Sequence, residues 1–128
     1  VHGLDISEAM VEEAKRRIEG VEFIQGDFRY LYLNDDYFDG IWANLSLIYL
    51  TPDDLSTALE EVYRVMKPGA VFFSSYLEGS GEKVIDAIYH HYYRKEEVLE
   101  LMRQQGFKIF QSMVTGDEQK FIIVYVIK

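Results

Sequence analysis

Apolar positions along the chain switch repeatedly between strand-like and helix-like spacing, and the switches delimit the elements. Val1-His-Gly-Leu-Asp-Ile6 is a short apolar run ending in an acid, which predicts the end of a strand. Ser7 follows as an N-cap, its hydroxyl able to satisfy a free backbone N–H. Residues 8–19 predict a helix with Met10, Val11, Ala14 and Ile18 on one face, Glu12–Arg16 and Glu13–Arg17 at i,i+4 spacing, and Gly20 as its stop. Val21–Gln25 alternates and predicts a second strand ending at Gly26-Asp27. Residues 28–36 carry Phe28, Tyr30, Leu31 and Leu33 with no clear period, before an Asn34-Asp35-Asp36 turn signal. Phe38–Leu45 is apolar on both sides, as a buried parallel strand is.

Thr51-Pro52-Asp53-Asp54 is a helix start, with Thr51 as cap and Pro52 at the first helical position. Leu55, Ala58, Leu59, Val62, Val65 and Met66 then line one face, and Lys67-Pro68-Gly69 ends the helix. Ala70–Tyr76 predicts a strand and Gly79-Ser80-Gly81 a flexible break. Residues 82–92 are ambiguous: Val84, Ile85, Ile88, Tyr89 and Tyr92 have helical spacing, but β-branched and aromatic residues are poor helix formers. Residues 95–105 predict a helix closed by Gly106, with Phe107 folding back on Met102. Strands at about 107–115 and 119–127, joined by Thr115-Gly-Asp-Glu118, predict a terminal antiparallel hairpin. This alternation implies an α/β fold: a mostly parallel sheet with helices on both faces and one antiparallel edge.

The chain has 128 residues, the size of one domain, so residues 1–128 are taken as a single unit. It is 48% hydrophobic and 27% charged, the balance of a globular rather than a disordered chain. Its formal net charge of -9 argues against a nucleic-acid partner, because phosphate binding draws on clustered basic residues. With no cysteine, disulfides, thiolate metal sites and cysteine nucleophiles are excluded. The longest apolar run, Phe121–Ile127, is far short of the ~20 residues of a spanning helix, so no membrane partner is expected and the expected place is the cytoplasm.

Ligands of open α/β sheets bind beyond the carboxyl ends of the strands. Three such ends carry polar groups. Asp5 could accept from both hydroxyls of a ribose, or could simply start the following helix. Asp27, after Gly26, could accept from an exocyclic amine such as that of adenine, or could be a solvated turn residue. Asn44, with Leu45 and Ser46, could meet a ligand's polar end or cap a loop. Further along, Tyr76 and Glu78 follow the fourth strand, and Tyr89-His-His-Tyr-Tyr93 concentrates aromatic and imidazole groups. Tyr76 and Glu78 are candidates for the acceptor side and His90 or His91 could serve as a general base, or the aromatics could only pack a lid or the sheet face with the histidines solvated. No third ligand stands at metal spacing, so no metal site is expected.

Gly3-Leu-Asp-Ile-Ser-Glu-Ala-Met10, Gly26-Asp27, Phe38-Asp-Gly-Ile-Trp-Ala-Asn44, Arg64-Val-Met-Lys-Pro-Gly69 and Gly106-Phe107 stand in an order and spacing that resembles the class I S-adenosylmethionine-dependent methyltransferases. The resemblance implies a Rossmann-like sheet and transfer of a methyl group from S-adenosylmethionine to a small molecule. It implies that Asp5 holds the ribose diol, Ile6 packs on the adenine, and Asp27 accepts from the adenine amine with Gly26 and Phe28 beside it. Asn44 and Leu45 would border the methionine part. That family opens with a strand and a glycine-rich loop, which Val1 onward does not contain. The resemblance therefore implies a domain truncated at its N-terminus, its missing strand central between those of Asp5 and Trp42. The flanking strands could pair directly, a partner copy could supply a strand, or the segment could belong to a longer natural protein. Exposed apolar strand edges predict a homo-oligomer. Two other readings remain open: a non-catalytic assembly or regulatory relative or fragment, and, less favoured by the terminal hairpin and by Gly26-Asp27, a nicotinamide dinucleotide-binding half-domain.

Overall fold

The computed structural model describes residues 1–128 and contains three helices and eight strands. In order they are β1 (His2–Asp5), α1 (Glu8–Arg17), β2 (Glu22–Gln25), β3 (Phe38–Asn44), α2 (Pro52–Val65), β4 (Met66–Glu78), β5 (Gly81–Ile85), β6 (Ile88–Tyr93), α3 (Lys95–Gln104), β7 (Lys108–Thr115) and β8 (Phe121–Ile127).

The predicted caps form. The Ser7 hydroxyl accepts from Met10 N–H and the Thr51 hydroxyl from Asp54 N–H. Gly106 adopts φ of +97°, a conformation that costs residues with a Cβ, and Phe107 N–H reaches back to the Met102 carbonyl at 3.2 Å. Of the two expected ion pairs on α1, Glu13–Arg17 forms, while Glu12 meets Lys15 and Arg16 joins Glu13 instead.

Strand pairing divides into two sheets. β1 and β2 form a parallel pair. The other six strands form one sheet in which β4 is the hub. Along one edge β4 pairs antiparallel with β8, which pairs with β7. Along its other edge β4 pairs in parallel with β3 and then, at its carboxyl end, with β6. β1 and β3 do not pair, so direct closure between the flanking strands is not what this chain does. His2 and Phe38, the first residues of β1 and β3, touch ring to ring at 5.4 Å, so the two strands start side by side. The crossovers β1–α1–β2 and β3–α2–β4 step away from each other, and right-handed connections then place α1 and α2 on opposite faces.

The main core lies between the six-stranded sheet and α2 and α3. Leu55, Ala58, Leu59 and Val62 of α2, and Val98 and Met102 of α3, are fully buried against Phe72, Tyr76, Ile122, Val124 and Val126. Burying each large apolar side chain contributes about 1.5–3 kcal/mol, so this layer anchors the fold. The opposite face carries an aromatic row across three strands, with Trp42 stacked on Phe73 at 3.8 Å and Phe73 against Tyr125 at 5.0 Å. Trp42 is 68% exposed, so no helix covers that end of the row.

Residues 82–92 form the β5–β6 hairpin rather than a helix. The turn is Asp86-Ala87, both at positive φ, which matches the right-handed strand twist of a two-residue hairpin. Gly79-Ser80-Gly81 is not a free break either: Gly79 N–H donates to the Tyr93 carbonyl, and Gly81 opens β5. Lys67-Pro68-Gly69 ends the helix as expected but lies within the long β4.

Candidate functional site

The carboxyl ends of β1 and β2 are tied together. Gly26 N–H donates to the Asp5 carbonyl and the Gln25 amide to the Ile6 carbonyl. A Cβ on Gly26 would sit 3.0 Å from the Leu4 side chain, so the glycine permits this approach. One Asp5 oxygen, Oδ1, accepts from Ser7 N–H at 2.8 Å, and Oδ2 has no protein partner. The helix-start and ligand readings of Asp5 are thus compatible, since Oδ2 and the second lone pair of Oδ1 stay open. Ile6 lies beside it, 66% exposed.

Asp27 is engaged by its neighbour. Its two oxygens accept from the Arg29 backbone N–H, Nε and Nη2 at 2.7–3.1 Å. That guanidinium holds the Asp27 carboxyl below its ordinary range. Arg29 also reaches Asp54 at the start of α2, 3.3 Å away. Phe28 is half-buried against the main core.

At the end of β3, Leu45 takes φ of +53° and its N–H donates to the buried Ser75 hydroxyl at 2.9 Å. Ser75 in turn donates to Asn44 Oδ1 at 2.6 Å, which leaves the Asn44 amide nitrogen for a ligand. Ser75 pairs with Asn44 in register across β3 and β4. Its role is invisible in sequence, because it lies thirty-one residues away.

A cleft of about 780 Å³ runs between β1 and β3, lined on one side by His2, Gly3 and Leu4 and on the other by residues of β3 that include Phe38 and Trp42. Phe28, Leu31 and Leu33 also line it, and it reaches Ser46 at the carboxyl end. This is the size range of small-ligand pockets.

The hairpin separates the other candidates. His91 N–H donates to the Ile48 carbonyl, which fixes the hairpin to the loop after β3. His90 packs edge-on against Tyr49 of that loop, centroids 5.1 Å apart. Its Nδ1 lies 2.9 Å from the Ile88 carbonyl, which can only accept, so in the neutral ring Nδ1 carries the hydrogen and Nε2 the lone pair. His91 Nδ1 meets the Tyr89 hydroxyl at 2.9 Å, which fixes no tautomer. Burial, and then Glu82, push the Tyr89 hydroxyl above its usual range. Tyr76 is a core residue: its side chain is fully buried and its hydroxyl has no partner. Burial pushes that hydroxyl well above the phenol range, and the geometry gives it no route to an acceptor. Glu78 is committed to Arg94 at 3.0 Å. No three metal-ligating side chains converge, and no helix is long and apolar enough to cross a membrane.

Residues 1–69, which hold all three strand ends, match the family model described as a methyltransferase domain. The chain belongs to the S-adenosylmethionine-dependent methyltransferase family. It is 38% identical over 85 residues to a malonyl-[acyl-carrier protein] O-methyltransferase of Erwinia pyrifoliae, a match covering 66% of this chain and 32% of that one. The chain thus spans about a third of the length of that curated relative. Among solved structures, a Methanosarcina mazei methyltransferase superposes with a TM-score of 0.90 at 20% identity, covering 100% of this chain and 81% of that one. A Burkholderia thailandensis 1,6-didemethyltoxoflavin-N1-methyltransferase, crystallised with bound 1,6-didemethyltoxoflavin and S-adenosylhomocysteine, superposes with a TM-score of 0.84 at 23% identity, covering 100% of this chain and 60% of that one. These likenesses establish the methyltransferase fold, Rossmann-like with an antiparallel last strand.

Proposed function

We propose that this methyltransferase-family chain binds S-adenosylmethionine beyond the ends of β1, β2 and β3 and passes its methyl group to a small molecule. The observation that carries this reading is Asp5, a strand-end carboxylate with one oxygen engaged by α1 and one free. The residues fit the ligand's parts: Asp5 faces a vicinal diol, exposed Ile6 and half-buried Phe28 offer apolar surface to a base, and the Asn44 amide meets a carboxylate. When bound, S-adenosylmethionine supplies an already activated methyl group, so the protein's share is alignment, exclusion of water and proton handling. Titration of the chain with S-adenosylhomocysteine tests the reading.

For an acceptor that loses a proton, His90 Nε2 is the base, since its tautomer is set by the Ile88 carbonyl. The acid-rich surface, with its net charge of -9, favours a small acceptor over nucleic acid. Nitrogen-resolved NMR is expected to find the neutral His90 ring in its Nδ1–H tautomer, and the Nε2–H tautomer would remove this role. The relatives' names point to malonyl-[acyl-carrier protein] and 1,6-didemethyltoxoflavin as their acceptors, which span different chemistries, so an acceptor screen covers both O- and N-nucleophiles.

A second reading, self-association, is favoured by the facing unpaired edges of β1 and β3. Copies that join through these edges must overcome mutual repulsion, so association strengthens with salt. Sedimentation is expected to show oligomers whose population grows between low and moderate ionic strength, and a monomer under both conditions refutes it.

A further inference from the structure

Asp27 is expected to receive an adenine amine, yet both its oxygens are already engaged by Arg29. Oδ1 accepts from the Arg29 backbone N–H at 2.9 Å and from Nε at 3.1 Å. Oδ2 accepts from Nη2 at 2.7 Å and from Nε at 3.1 Å. The single Nε hydrogen is shared between the two oxygens, so Arg29 sets three hydrogens on about four acceptor positions, and an incoming amine meets a carboxylate already spanned by the guanidinium. Nor can Asp27 stand idle when Arg29 leaves, because a partly buried carboxylate without a partner is costly. Arg29 has a second seat. Its Nη1 is already 3.3 Å from Asp54 Oδ1, in the first turn of α2. The Asp54 side chain is 40% exposed against 22% for Asp27, so the guanidinium spans an inner and an outer carboxylate.

We infer that Arg29 is a gate on the adenine position: it occupies Asp27 when no ligand is bound and shifts to Asp54 when the base enters. The inference rests on the methyltransferase reading and adds a residue to it. A neutral amine is a weaker donor than a guanidinium, so displacing Arg29 opposes binding. Asp54 offsets that cost by keeping the displaced cation paired. Arg29 is a positioning residue that acts on the ligand through Asp27, and Asp54 acts through Arg29.

The order of dependence gives the test, made by calorimetric titration with S-adenosylhomocysteine. Arg29→Ala is expected to tighten binding about fivefold to tenfold, and Arg29→Gln, which keeps the side chain's bulk, by a similar factor. Asp54→Asn is expected to weaken binding about threefold in the native background and to have no effect beside Arg29→Ala. A structural role for Asp54 would persist in the double variant. Weaker or unchanged binding in both folded Arg29 variants overturns the gate, as does an Asp54 effect that survives the loss of Arg29. If the wild-type chain binds and Asp5→Ala does not, while the Arg29 variants bind like wild type, the gate alone fails. If neither wild type nor either Arg29 variant binds, the methyltransferase reading fails and the gate with it.

Discussion

Asp5→Ala is expected to weaken S-adenosylhomocysteine binding about thirtyfold or more, the largest loss for any single change at the site. Two hydroxyls of a ribose meet two oxygens of one carboxylate, and hydrogen bonds to a charged acceptor are the stronger kind. The complication is local structure, since Asp5 Oδ1 also accepts from Ser7 N–H at the start of α1. Alanine therefore loses a helix-start contact as well as a ligand contact. Ser7→Ala separates the two: it removes the cap bond to Met10 N–H and leaves the carboxylate in place. That variant is expected to lose about 1 kcal/mol of stability with unchanged affinity. Asp5→Asn keeps one acceptor oxygen for Ser7 and is expected to retain the fold while losing most of the affinity. Calorimetric titration with parallel melting curves reads all three. Equal affinity in Asp5→Ala and wild type would remove Asp5 from the site and, with it, the reading that names the donor.

The site's strand-end residues were legible in sequence because strand ends are. A short apolar run that stops at Asp5, a second that stops at Gly26-Asp27 and a third that stops at Asn44 are all visible as changes of period. What sequence could not supply was the partner of each polar group. Ser75 reaches Asn44 and Leu45 only because β3 and β4 lie in register. Arg29 is two residues from Asp27, but only the fold places Asp54 beside it. His90 and His91 are equivalent on paper, and the Ile88 carbonyl distinguishes them. The hairpin at 81–93 was missed for a different reason. The spacing of Val84, Ile85, Ile88, Tyr89 and Tyr92 fits a helical face, while its turn, Asp86-Ala87, lacks the usual glycine and adopts positive φ regardless. The separation of β1 from β3 was not legible either, because a strand's apolar pattern does not name its neighbour.

Residues 28–36 had no readable period because distant side chains, Arg64 and Glu61 of α2, hold them, and Arg64→Ala is expected to release them. Arg64 donates to the Leu31 and Leu33 carbonyls at 2.7 and 2.8 Å, to Asp35 at 2.7 Å, and through two nitrogens to Glu61. Glu61 Oε2 accepts in turn from Leu31 N–H at 2.7 Å. The alanine variant strands two carbonyls and a partly buried carboxylate, a loss of about 2–3 kcal/mol at neutral pH. Arg64→Lys is expected to recover less than half, since an ammonium cannot span acceptors that a planar guanidinium reaches at once. The Arg64 guanidinium holds the Glu61 carboxyl below its ordinary range, although burial acts the other way. A depressed folded-state pKa stabilises above the unfolded value and ceases to do so as pH falls through the folded value. The gap between wild type and Arg64→Ala in urea unfolding is thus expected to be full at pH 7 and to shrink below about pH 4. A gap that stays constant into acid would mean that Arg64 acts through its carbonyl contacts alone. Leu31 and Leu33 line the cleft beside β1, so the same variant is expected to loosen that wall while the α2–α3 core keeps its packing. Hydrogen exchange resolves the two: fast exchange at Leu31 and Leu33, with protection at Leu59 and Val62 falling by no more than the global loss read in urea, places the effect of Arg64 on the cleft rather than on the core.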